Sequence, residues 1–115
     1  MAKKNKGQRW VHVADTDSIK LENGVERRIL AFDDNLMAVE FIWEKAGLSI
    51  PTHTHPHMQI LYIVEGAFEF TVGDDTKVIR AGDTVLVKGN EPHSAVCLEP
   101  GKALDMFNPM REDFL

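Results

Sequence analysis

The sequence contains a single cysteine, Cys97. It can form no intrachain disulfide, and its stability must come from packing, a metal or association. A reducing cytoplasm suits such a chain. No apolar run approaches the ~18 residues needed to cross a bilayer, and the start lacks the roughly 7–15-residue apolar stretch of a signal peptide. Membrane insertion and secretion are therefore not expected, and a cytoplasmic location is. Basic residues are the minority, 13 Lys and Arg against 18 Asp and Glu, for a net charge of -5. Phosphate recognition needs clustered positive charge, so no nucleic-acid partner is expected. The local exception is Lys3, Lys4, Lys6 and Arg9. A basic, apolar-poor opening of this kind reads as a flexible tail over residues 1–10.

Apolar residues make up 43% of the 115 positions, enough to build one core over residues 11–115, and the length leaves no room for a second catalytic module. Helical stripes longer than two turns are missing. Instead Glu26–Phe32, Leu36–Trp43, His57–Glu65, Ala67–Val72, Thr76–Arg80, Thr84–Val87, His93–Leu98 and Lys102–Phe107 are short and rich in Val, Ile, Leu and Phe. Turn formers separate them, among them Asp33-Asp34-Asn35, Gly66, Gly73-Asp74-Asp75, Gly82-Asp83, Gly89-Asn90 and Pro100-Gly101. A beat of about 8–12 residues predicts an all-β sandwich or barrel. Side chains alternate along an extended chain, so Phe68, Phe70 and Val72 share one face, as do Ala103, Asp105 and Phe107. The second triplet sets a carboxylate between a small and an aromatic residue. Burying an unpaired Asp is costly, so Asp105 is either ion-paired or a pocket acid/base with a raised pKa.

Of five histidines, three stand at His53, His55 and His57, just before Gln59, and on an extended chain all four point one way. Three imidazoles on one β face waste core positions unless something binds there, and neutral imidazole is the commonest transition-metal ligand. His93 opens a later strand that an antiparallel pairing can bring alongside. His57 is either a pocket residue or a solvated neighbour that Pro56 turns away.

These residues carry a resemblance. Gly47, His53, His55, Gln59 and Gly66 are spaced as in the first motif of the cupin superfamily, G-x5-H-x-H-x3,4-E-x6-G, with Gln59 in place of Glu. Gly82 and His93 are spaced as in the second, G-x5-P-x-G-x2-H-x3-N, with departures at Lys88, Asn90 and Cys97. Asn90 is tolerable because Asn, like Gly, visits the left-handed region at turns. The resemblance implies a single-domain cupin, a double-stranded β-helix or jelly-roll-like barrel with a metal in its mouth. Its metal ligands would be His53, His55, Gln59 and His93. Zn, Ni, Fe and Mn would all suit them.

The runs Arg28-Ile29-Leu30-Ala31, Asp34-Asn35-Leu36-Met37 and His53-Thr54-His55-Pro56-His57 with Gln59 are more specific. So, above all, is the ending from Asp105 to Leu115. They resemble the pectin-degradation cupins of the KdgF type. That likeness implies conversion of 4,5-unsaturated uronates from pectin or alginate lyases into the linear 5-keto-4-deoxyuronate. It places the catalytic pocket on Asp105, Phe107 and Arg111: Asp105 as general acid/base, Arg111 holding the uronate carboxylate and Phe107 as an apolar wall. By analogy with the superfamily a homodimer is expected through open barrel ends or exposed sheet faces, with Leu36, Met37 and the Phe41-Ile42-Trp43 segment as candidates and the interface itself left open by the sequence. Two other readings of the same residues are a quercetinase-like dioxygenase with a redox metal and a sugar-binding cupin without turnover.

Overall fold

The computed structural model describes residues 2–115, and two long strands organise it. They are β5, Met58–Val72, and β8, His93–Asn108, which pair antiparallel along most of their length. Around them lie β1 Ser18–Lys20, β2 Glu26–Asp33, β3 Leu36–Trp43, β4 Ser49–His53, β6 Asp75–Arg80 and β7 Thr84–Val87. Every pairing between named strands is antiparallel.

The sequence reading splits β5 at Gly66 and β8 at Pro100-Gly101, whereas the structure runs both strands through and bends them there. The pairing register slips repeatedly between Ile63 and Phe68. At the bend the two backbones come too close for side chains. A Cβ on Gly66 would lie 2.6 Å from the Glu99 carbonyl oxygen, and one on Gly101 would run into the carbonyl of Glu65. Glycine here permits close approach and a bend without ending the strand.

The bend divides the fold into two sheets. On one side β1, β2 and β3 continue into the C-terminal half of β8, the N-terminal half of β5 and β7. On the other, β4 pairs with the N-terminal half of β8, which pairs with the C-terminal half of β5 and then β6. The inner faces share one core, with Trp43 of the first sheet meeting Phe68 of the second edge-to-face at 5.2 Å. This is the all-β, jelly-roll-like arrangement expected from sequence.

Strand alternation decides what faces inward. On β8, His93, Ala95, Cys97, Ala103, Asp105 and Phe107 are buried, while Leu104 and Met106 between them point outward. Met37, Phe41 and Trp43 face the core, whereas Leu36 and Ile42 lie on the outer side of β3 with Ala38 and Glu40. The basic opening, expected as a tail over residues 1–10, makes contacts with the sheet. Met1 lies outside the described residues, but residues 2–7 lie along β2. Asn5 is buried and its Nδ2 donates to the Ile29 carbonyl, Gly7 donates to that of Phe32, and Lys6 pairs with Asp34 at 2.8 Å. Backbone groups left open on β2 give this short segment its partners. Among the described residues no helix is long and apolar enough to cross a membrane.

Candidate metal centre and active-site cavity

Strand pairing builds the histidine cluster. His53 ends β4 directly opposite His93, the first residue of β8, and their rings are 4.2 Å apart. His55 sits in the loop that follows. Asn90, in the left-handed conformation with φ 67°, donates its backbone N–H to the His55 carbonyl at 2.8 Å. The potential ligand atoms of His53, His55 and His93 then all lie within 4.8 Å of one another. The shared parity expected for His53, His55, His57 and Gln59 holds less well, because the chain leaves strand geometry between His53 and Met58. Gln59 reaches the site from β5.

The ring nitrogens are already sorted. His53 Nδ1 donates to the Pro51 carbonyl and His93 Nδ1 to that of Glu91, each at 2.8 Å, which leaves both Nε2 atoms as lone-pair donors. His93 Nε2 is buried with no hydrogen-bond partner. A buried orphan acceptor aimed among two other imidazoles fits a metal ion. Gln59 Oε1 lies 3.0 Å from His55 Nε2. Two donors sharing one metal at about 2.1 Å and a right angle would be about 3 Å apart. Burial, joined by the positive charge of Arg111, pushes the His55 pKa down to about 4, and burial lowers that of His93 as well. Both imidazoles are thus held in the neutral, ligating form.

Gln59 links this cluster to Asp105. Its Nε2 donates to Asp105 Oδ2 at 2.6 Å, and Asp105 Oδ1 has no partner. Asp105 is buried without a direct ion pair among the described residues. Burial pushes its pKa up to about 7, opposed by the Gln59 hydrogen bond and the charge of Arg111. A carboxyl group poised there can both take and return a proton near neutral pH.

Arg111 is close by but engaged. Its Nε and Nη2 donate to the two oxygens of Asp113 at 3.1 and 2.9 Å, and its guanidinium lies over the rings of Phe107 and Phe114. The side of the fork expected to hold a substrate carboxylate already holds Asp113, a partner that sequence spacing did not suggest. Phe114 docks against the site, 5.7 Å from Phe107 and 6.3 Å from Phe41.

The structure brings together in one cavity all the expected site residues except His55, which clusters with the cavity-lining His53 and His93. The cavity holds about 180 Å³ and is lined by His53, Gln59, His93, Asp105, Phe107 and Arg111 among others. Pockets for drug-sized ligands run to about 300–1,000 Å³, so this one suits a single sugar ring. His57 stands 5.5 Å from His55, outside both the three-histidine cluster and the cavity lining.

Comparison with known proteins agrees with this architecture. The family described as Cupin domain matches residues 39–107. The pectin degradation protein KdgF of Dickeya dadantii (strain 3937) is 35% identical over 97 residues, 84% of this chain and 88% of that protein. The chain belongs to the KdgF family of cupins. An RmlC-like cupin from Shewanella frigidimarina NCIMB 400 superposes on this cupin with a TM-score of 0.89 at 36% identity, covering 95% of this chain and 97% of that one. KdgF from Halomonas sp. gives 0.86 at 33% identity, covering 92% and 97%. Sequence reasoning about this cupin overlooked Arg27, which also lines the cavity. Its signal was its parity with the buried Ile29.

Proposed function

We propose that this cupin opens and tautomerises 4,5-unsaturated uronates to the linear 5-keto-4-deoxyuronate. The observation that carries the reading is Asp105, a buried carboxyl group hydrogen-bonded to Gln59 beside the three-histidine cluster, where burial raises its pKa to about 7. A relative that shares 35% of its residues is named for pectin degradation. Opening the hemiacetal removes the proton of the anomeric hydroxyl, forms the C1 carbonyl and breaks the bond from C1 to the ring oxygen, which leaves as the enolate at C5. Protonation at C4 then gives the ketone. One proton leaves O1 and one arrives at C4, so a single carboxyl group balances the reaction. Asp105 takes the first and supplies the second. A divalent transition metal held by His53, His55, His93 and Gln59 would supply Lewis acidity toward a ring or carboxylate oxygen. Phe107 forms an apolar wall against the ring.

The test is an anaerobic assay of the metal-loaded protein on 4,5-unsaturated galacturonate, following loss of the conjugated absorbance. Decay without oxygen is expected. Decay that requires oxygen would point to a dioxygenase, and ligand-dependent melting without product to a binding protein; either overturns the reading.

The reading includes a second copy of the chain over the outer face of the first sheet. Met58, Ile60 and Tyr62 project outward from β5, Leu86 stands beside Ile60 on β7, and all four are exposed. A contiguous apolar patch of this kind marks an association surface. The protein should elute as a dimer in size-exclusion chromatography with light scattering, and Ile60→Asp with Leu86→Lys should make it a monomer. A wild-type monomer at tens of micromolar would refute the assignment.

A further inference from the structure

Arg27 is a second guanidinium at the cavity. It lies on β2 opposite the inward-facing Phe41 and shares the inner face with Ile29. Its guanidinium carbon sits 4.1 Å from the centre of the Phe114 ring. The arginines around it have partners. Arg28 donates to the carbonyl and hydroxyl of Thr16 at 3.1 and 2.7 Å and pairs with Glu40. Arg111 is spoken for by Asp113. Arg27 makes no hydrogen bond or ion pair among the described residues, and its Nε is buried without a partner.

A partly buried guanidinium with an orphan N–H is costly unless an anion completes it. Stacking on an aromatic ring contributes only about 0.5–2 kcal/mol and satisfies no N–H. Burial lowers the pKa of Arg27; Asp113 acts against that and Arg111 with it. The side chain therefore stands in the cavity as a charge held ready for a ligand. Its planar fork matches a carboxylate, which accepts two parallel N–H bonds. Arg27 and Asp105 line the same cavity of about 180 Å³. One sugar ring can reach both.

We infer that Arg27 binds the carboxylate of the sugar substrate, and that Arg111, held by Asp113, contributes charge and the aromatic stack of the cavity wall. The inference rests on the uronate reading above and changes which arginine selects the acid. Its consequence is specificity: a uronate should be preferred over its uncharged ester because the ester leaves Arg27 unpaired.

The test compares metal-loaded wild type, Arg27→Met and Arg27→Lys in two assays. One is turnover of 4,5-unsaturated galacturonate. The other is calorimetric binding of saturated galacturonate and of its C6 methyl ester, neither of which carries the reacting double bond. Loss of a charged hydrogen-bond pair should raise KM for Arg27→Met by about 10–100-fold, with kcat changed by less than about threefold. The wild-type preference for acid over ester should fall to near unity in Arg27→Met and recover in part in Arg27→Lys, which restores the charge without the fork. Should Arg27→Met fail to fold, Arg27→Lys carries the test, with KM raised by about three- to tenfold. Wild-type KM and acid preference in a folded variant would overturn the inference. If wild type binds galacturonate through Arg27 yet turns over no unsaturated uronate, the ring-opening reading fails and the inference stands. Absence of both binding and turnover overturns both.

Discussion

Asp105→Asn should lower kcat on unsaturated uronates by about 10³-fold, within the range of removing a general acid/base, while KM changes by less than about threefold. Asn has nearly the volume of Asp and keeps an oxygen to accept the Gln59 hydrogen bond, so the cavity should persist. It can neither take the anomeric proton nor return one to C4. The same substitution should stabilise the metal-free protein at alkaline pH. Asp105 titrates near 3.8 in an unfolded chain and near 7 when folded. Its folded pKa is raised, so the folded state favours the protonated form, and stability from this group falls as pH rises from about 4 to about 7. The full swing, about three units, is on the order of 4 kcal/mol. The Tm advantage of Asp105→Asn should therefore be greatest above pH 7 and vanish near pH 4. Undiminished turnover would refute the catalytic role, and a pH-independent Tm difference would refute the buried, uncompensated carboxyl group.

Removal of the proposed metal should have a comparable effect. Dialysis against a strong chelator, or His93→Ala, should bring turnover to below about one part in 10³, since the cluster then lacks either the ion or one of its donors. Chelated wild type should regain activity with one equivalent of Zn, Ni, Fe or Mn, and the ion that restores most identifies the working metal. Proton competition gives a second readout. His55 titrates near 4 and His93 is also lowered, both chiefly through burial. The cluster should hold metal well below the ordinary histidine range and release it as pH approaches about 4. In the metal-free protein these two lowered pKa values contribute stability that is full above about 6.5 and lost on acidification, the opposite slope to that of Asp105. Metal content by mass spectrometry across pH 4–8 checks the competition. Full activity in protein with no detectable metal would exclude the assignment.

Much of this site is legible along single strands. The inward direction of Asp105 and Phe107, and the outward direction of Leu104 and Met106, follow from alternation within β8. The early start of β8 at His93 and the glycine- and asparagine-rich turn before it are equally local. Arg27 was legible by the same rule, because it shares parity with Ile29, but parity alone does not distinguish a pocket arginine from a surface one. His53 to Gln59 mark where alternation stops applying, since a loop intervenes and returns Gln59 on a different strand.

Other features depended on what lies opposite each strand. That His53 faces His93, that Gln59 bridges His55 and Asp105, and that Asp113 occupies the fork of Arg111 are matters of register and loop closure between distant residues. The paired bend at Gly66 and Gly101 is another such case: each residue alone reads as a turn, and only their mutual approach makes them the crossing of two continuous strands. Sequence by itself determined the all-β class, the histidine set and the faces of the strands, because side-chain direction follows from the backbone geometry of neighbouring residues. Tertiary structure decided which groups are paired and which are left open, because burial and hydrogen-bond satisfaction depend on atoms that the chain brings together only when it folds.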